Sequence, residues 1–176
     1  MDQIIASIRP KWSYLIFSGQ KTIELRKSKP KTIPFETIVY CTKASIRNRT
    51  ITGCMVLNDD QLFIHPRYGL QHGDSICLMC EEDYTEDDFL DGKVIGGFIC
   101  SRVIEYLPDD EGNYSVPEED LTAMCLTMEE VKAYGNGKPL YGWVIENHKL
   151  SKPKTLTDVG LKRAPQSWQY FKEEKA

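Results

Sequence analysis

The chain has 176 residues, of which 41% are hydrophobic and 27% charged, a balance that suits one soluble globular domain with a substantial core. No apolar run approaches the roughly 20 residues needed to cross a bilayer, and Ile4-Ile5-Ala6 runs at once into Ser7 and Arg9 rather than into a secretory leader, so a cytoplasmic protein without a membrane segment is expected. The net charge of −4 is segregated, at +7 in residues 1–50, −16 in 51–130 and +5 in 131–176, which argues against an indiscriminate nucleic-acid coat and for a localised basic site where the chain ends meet.

In chain order, residues 3–8 read as a first strand that ends at Arg9-Pro10, because the residue before proline is pushed towards extended geometry. Pro10 is suited to a first helical position, and a short helix is expected over 10–18 with Trp12, Leu15 and Ile16 at helical spacing and Gly19 as its stop. Residues 21–26 follow as Lys-Thr-Ile-Glu-Leu-Arg. Alternation predicts a half-buried strand with Thr22, Glu24 and Arg26 on one face, about 6.6 Å apart, and Ile23 and Leu25 towards the core. Lys21 sits at the turn before the strand, where parity does not fix its direction. An ordinary solvated charged face explains this segment as well as a site does.

Residues 27–34, rich in lysine and proline, read as a loop. A strand is expected over 37–42, ending at Lys43, with another over 51–57. Within residues 58–92, a strand at 75–80 and an acidic loop or short helix at 81–91 are expected among Asp-, His- and Gly-rich turns. Residues 94–106 are strongly β, with Gly96-Gly97 marking a bulge or a close backbone approach. A turn follows at 109–112. In 121–134 the helix signal is Thr127-Met128-Glu129-Glu130, in which Thr127 caps and Glu130 stands three residues on, and Gly135 and Gly137 close the helix. A last strand is expected over 140–145. The tail from Asn147 lacks periodicity, but Leu156, Val159, Leu161, Trp168, Tyr170 and Phe171 make it apolar enough to pack on the rest. One domain of five to seven strands and two or three helices is expected.

Few arrangements here carry chemistry. His65, His72, Cys77 and Cys80 are zinc-type ligands in a spacing that is not a strong metal pattern, and neither a metal nor an organic cofactor is expected. The six cysteines read as free thiols, and no nucleophile triad, phosphate loop or dinucleotide fingerprint is present. That leaves the strand. A lysine beside a glutamate in a partly buried cleft can exchange protons, the glutamate can activate water, and an arginine fork suits phosphate or an oxyanion. Arg9 ends the neighbouring strand and can join the same pole, while Trp12 and Trp143 offer faces for stacking a base or for packing the core.

These residues carry a resemblance. Ser7-Ile8-Arg9-Pro10 with Trp12, then Gly19-x-Lys21-x-x-Glu24-x-Arg26, is similar to the signature of the ASCH domain family. Residues 40–43, 92–96, 140–145, Lys152-Pro153-Lys154-x-Leu156 and Pro165-Gln166-Ser167-Trp168 resemble further segments of it, the last three its phage and prophage branch. The resemblance implies an α+β fold, a PUA-like mostly antiparallel β-barrel with two or three flanking helices, and a cleft lined by the motif that binds RNA, a nucleotide or a nucleoside. On that footing Lys21 and Glu24 are the catalytic candidates, and Arg9, Trp12, Lys21, Thr22, Glu24, Arg26, Lys43 and Trp143 the ligand-binding ones. Some members hydrolyse the amide of 4-acetylcytidine; they keep the lysine but carry threonine where this chain has Glu24. They also use a glutamate before the last strand, for which Glu118, Glu119 or Glu129 can each be argued. Ribonuclease activity and a transcription-linked, protein-binding role are the other implied alternatives.

Overall fold

A computed structural model describes residues 1–43, 49–51, 54–56, 61–65, 68–72 and 88–172, with 49–51 and 54–56 described as backbone alone. Six strands form the main sheet: β1 (Asp2–Ile8), β2 (Ile23–Arg26), β3 (Phe35–Cys41), β8 (Val94–Tyr106), β9 (Leu140–Lys154) and β10 (Trp168–Tyr170). Their spatial order is β10-β1-β3-β8-β9-β2. Two small hairpins lie apart from it, β4 (Arg49–Ile51) with β5 (Cys54–Val56) and β6 (Leu62–His65) with β7 (Gly69–His72). The helices are α1 (Pro10–Phe17), α2 (Glu118–Met124) and α3 (Met128–Gly135).

Only β1 and β3 pair in parallel, from Asp2 opposite Phe35 to Ile8 opposite Cys41; the other pairings in the main sheet are antiparallel. A parallel pair needs a crossover, and here α1, β2 and the 27–34 loop provide it. The inner face of the curled sheet buries Ile4, Ala6, Phe35, Phe98, Cys100 and Trp143 together with Ile16 of α1. On the outer face, Ile23, Leu25, Tyr106 and Leu140 pack against Leu121, Met124 and Val131 of α2 and α3. A third cluster joins Ile5, Tyr40 and Val94 to Leu156, Val159, Leu161 and Phe171 of the tail. Strand β1 is therefore covered on both faces along Ile4-Ile5-Ala6, which is why that stretch is continuously apolar.

Several expectations hold. Strand β8 spans the predicted range, and its register shifts at Val94/Gly96 and Gly97/Ile99. Gly96 has φ +152°, and a Cβ there would collide with the Lys149 carbonyl. The capping box at Thr127 and Glu130 is present, with each residue bonded to the other's backbone N–H.

Other expectations change. The strand expected over 51–57 is part of the β4–β5 hairpin. The helix signalled within 121–134 starts after Thr127 as read, and a second helix, α2, precedes it, separated by Cys125 in the left-handed region at φ 55°. At the end of α3 it is Asn136 (φ 49°) that takes the left-handed stop, while Gly135 is helical and is a glycine because Tyr114 leaves no room there for a side chain. Strand β9 continues nine residues past Ile145, paired to β8, so the first eight residues of the supposed aperiodic tail are sheet. The strand expected at 75–80 and most of the acidic segment 81–91 lie outside the described residues.

At Gly97 an added Cβ would stand 2.5 Å from the Thr37 carbonyl oxygen of the neighbouring strand. Gly97→Ala is expected to destabilise the fold by about 1–3 kcal/mol through forced separation of β3 and β8. Equilibrium urea unfolding measures this, and an unchanged midpoint would contradict the contact.

Candidate functional site

Strand β2 is buried on both faces. Ile23 and Leu25 are buried as expected, here against α2 and α3, but Glu24 and Arg26, on the face that would have met solvent in an ordinary amphipathic strand, are only 7% and 6% exposed. They point into a cavity of about 310 Å³. One wall is the end of β1 with its following residue (Ser7, Ile8, Arg9); the opposite wall is Glu24, Leu25 and Arg26 of β2. These strands are not ladder partners, so the cavity occupies the open seam of the curled sheet. Trp12 of α1, Lys21, and Leu126, Glu130 and Tyr134 from α3 and the turn before it complete the lining.

Local structure aims Lys21 inward. Helix α1 stops at Ser18, Gly19 takes φ +79°, and the Lys21 N–H donates to the Leu15 carbonyl at 2.8 Å, which reverses the chain. The Lys21 ammonium, 2% exposed, donates to the Met124 carbonyl at 2.6 Å, stands 3.6 Å from Glu24 Oε2 and lies 4.9 Å from the centre of the Trp12 ring. Burial lowers its pKa, with Glu24 and then Cys125 opposing that shift.

Arg26 is held from three sides. Its Nε is 2.9 Å from Glu24 Oε1 in an ion pair, one terminal nitrogen donates to the Ser7 carbonyl at 3.0 Å, and the other to the carbonyl and hydroxyl of Ser167 at 3.3 Å each. Its guanidinium also lies 5.6 Å from the Trp143 ring. Arg26 is thus a structural clasp.

Of the sequence-based candidates, Arg9, Trp12, Lys21, Glu24 and Arg26 converge on the cavity, and three do not. Thr22 is exposed and fixes β2 through its backbone, donating to Ala123 O and accepting from Ile145 N, both at 2.9 Å. Lys43 is exposed and its stem lies against Gly92. Trp143 is fully buried, edge-on to Phe35 at 5.0 Å and to Trp168 at 6.0 Å, so it offers no face to a ligand. Glu118, Glu119 and Glu129 are exposed and line no part of the cavity, whereas Glu130, assigned from sequence to capping alone, does.

Tyr134 and Glu130 were not recognisable as site residues. Their i, i+4 spacing puts them on one helix face, but nothing in the sequence says which face meets the seam. Burial raises the pKa of the Tyr134 hydroxyl; Arg26 counters that shift and Glu24 adds to it.

Elsewhere, Cys41 and Cys100 are free buried thiols whose pKa burial raises to about 12. His65 accepts from the Tyr68 N–H, and His72 stacks on Tyr14 at 6.0 Å. Cys77 and Cys80 lie outside the described residues, among which no metal-holding cluster occurs and no helix is long and apolar enough to cross a membrane. A larger groove of about 1010 Å³ runs between the outer sheet face and the tail, but its charged lining residues (Glu36, Lys149, Lys152, Lys154, Asp158) are all exposed. Buried ionisable groups converge in the smaller cavity.

A curled, antiparallel-rich sheet with three helices of this kind is a PUA-like α+β fold. Solved structures that share it are ASCH proteins from Zymomonas mobilis. The crystal structure of that ASCH protein matches with a TM-score of 0.59 at 14% identity, covering 98% of this chain and 90% of its own. Its serine-to-alanine mutant matches at 0.59 and 13% identity with the same coverage, and its tyrosine-to-phenylalanine mutant at 0.56 and 14% over 99% and 93%. At this identity the likeness is one of fold. No protein-family model and no curated protein sequence matches the chain.

Two outcomes are expected. Arg26→Ala leaves Glu24 without its closest cation and the Ser7 and Ser167 carbonyls without a shared donor, and should cost about 3–5 kcal/mol in urea unfolding. A loss below about 1 kcal/mol, as for an exposed pair, would contradict the clasp.

The second concerns Lys21. Its folded pKa lies below its ordinary 10.5, so the unfolded chain holds this proton to higher pH than the folded chain does. Charged Lys21 therefore opposes folding, and the opposition fades as pH rises through the folded pKa towards 10.5. The stability of the wild type minus that of Lys21→Met should increase across this alkaline window. Denaturation curves taken at stepped pH test it, and a flat difference would show that the ammonium is not penalised.

Proposed function

We propose that this chain is an ASCH-domain protein whose seam cavity binds the base of an RNA or a nucleotide. The observation that carries this reading is the Lys21–Glu24 pair, with side chains 2% and 9% exposed, on the wall of an open cavity. A buried ion pair is a weak source of stability, and apolar residues of equal volume would serve the fold as well or better. Its placement at a cavity gives a donor and an acceptor fixed for a ligand that carries both, as a base edge does. The cavity is at the small end of ligand-pocket sizes, about 300–1,000 Å³, with room for one base and its sugar. Trp12 and Tyr134 supply the aromatic walls. The likeness to the Zymomonas mobilis ASCH structures supports the family assignment through the fold, and the Gly19-x-Lys21-x-x-Glu24-x-Arg26 motif lies at the cavity.

A hydrolytic reading has its own support in the lowered pKa of Lys21 beside Glu24, since a buried amine and a carboxylate 3.6 Å apart can exchange a proton with substrate or water. Its substrates would be an acylated nucleoside of the 4-acetylcytidine kind or RNA. Glu24→Gln keeps the shape of the side chain and removes its charge. It should weaken binding of nucleotides and short RNA about tenfold or more, the loss expected when a charged hydrogen-bond acceptor is removed. Titration calorimetry over a nucleotide and oligonucleotide panel measures this, and affinities unchanged by the substitution would remove the cavity from the function. Turnover of 4-acetylcytidine or RNA that Glu24→Gln abolishes would decide for the hydrolase over the binding module.

A further inference from the structure

The two buried cations of the cavity, Lys21 and Arg26, are already engaged, and Arg9, the third cation of the lining, is exposed and has an interaction of its own. Arg26 is bonded to the Ser7 and Ser167 carbonyls and paired with Glu24, and Lys21 is bonded to Met124 O beside the same carboxylate. A phosphate on the ligand therefore finds no uncommitted cation at the floor, and one placed there would approach Glu24, a like charge. The base edge suits the floor, and the phosphate must lie outward.

Two lysines outside the lining stand beside it. Lys11 on α1 holds its ammonium 4.8 Å from the centre of the Trp12 ring, and Lys27, directly after β2, holds its own 4.9 Å from that of Tyr134. Trp12 and Tyr134 both line the cavity, so each aromatic wall carries a lysine. Both lysines are exposed, and neither makes an ion pair among the described residues. A cation–π contact fixes an ammonium without neutralising it, so both charges remain available. Lys29, two residues further on, is different: Glu105 already pairs with it. Glu130, the carboxylate that α3 contributes to the lining, accepts from the Thr127 N–H of its own cap.

We propose that Lys11 and Lys27 form a phosphate subsite at the mouth, so that the cavity takes a phosphate ester with its base inward and discriminates against the bare nucleoside. The ester is a nucleotide, free or within a single strand. This inference rests on the cavity holding a base.

The experiment compares the four ribonucleosides, their 5′- and 3′-monophosphates and a short single-stranded RNA by titration calorimetry at two salt concentrations. The proteins are the wild type and a Lys11→Gln, Lys27→Gln double variant, whose melting temperature should match the wild type because both side chains are exposed. The wild type should bind a monophosphate about tenfold or more tighter than its nucleoside, and in the double variant that ratio should fall towards one. The salt dependence of binding should flatten by about one unit of slope per lysine. RNA that binds tighter than any monophosphate, with a steeper salt slope, identifies the strand as the source of the phosphate; equal affinities identify the free nucleotide. A wild-type ratio near one, or a ratio that survives the double substitution, overturns the subsite while leaving the base-binding cavity standing. Binding of none of these ligands overturns the cavity reading and the subsite with it.

Discussion

The whole arrangement depends on how the two edges of one sheet are joined. Strands β2 and β10 are the edges, and β1 is next to β10. A continuous ladder between β2 and β1 would close the barrel and fill the seam with backbone. Instead the guanidinium of Arg26 spans it, donating to Ser7 O on β1 and to Ser167 just before β10. A side chain joins two strands at a greater separation than a ladder, whose strands lie about 4.8 Å apart. The space left along the seam is the cavity. An arginine suits this because its planar fork reaches several acceptors at once in fixed directions, which a lysine cannot.

The same choice explains the buried carboxylate. A guanidinium at 6% exposure needs a counter-charge, and Glu24, two residues back on the same face of β2, provides one at 2.9 Å. Glu24 in turn favours the charged form of Lys21, although burial outweighs it. The three charges thus form a chain from Arg26, which holds the seam, to Lys21, with Glu24 shared between them. Substitutions along it cannot be additive, because each member is the partner whose absence exposes the next.

The motif was legible because its geometry is local. Period-two alternation put Glu24 and Arg26 on one face, and Arg9-Pro10 with Gly19 fixed the helix that brings Trp12 beside them. What the alternation could not reveal is that both faces of β2 are covered, since that depends on α2 and α3, about a hundred residues away. For the same reason Tyr134 and Glu130 stayed hidden, while Trp143, equally aromatic and equally close to β strands, went to the core. The clasp was not readable either: Ser167 contributes its carbonyl as well as its hydroxyl, and a backbone acceptor leaves no mark in the choice of residue. Strand β9 was underestimated because residues 146–154 lean only on β8, and exposed residues with lysines and a proline look like a tail.

The segregation of charge along the chain takes a definite form in the fold. The basic ends do meet, since β10 pairs with β1 and Phe171 N donates to Gln3 O at 2.8 Å. Ser167 O accepts from the Ser7 N–H at 2.9 Å as well as from Arg26, and Ser7 Oγ donates to Pro165 O at 2.6 Å. Trp168 continues the same contact, packing its ring on Trp143 and donating from its indole N–H to Ser28. Strand β10 is therefore two contacts from Glu24, through Ser167 and Arg26. A three-residue edge strand is among the first elements of a fold to open. In this fold its opening would free one arm of the guanidinium that fixes the carboxylate, so the rigidity of the cavity floor depends on the docking of β10.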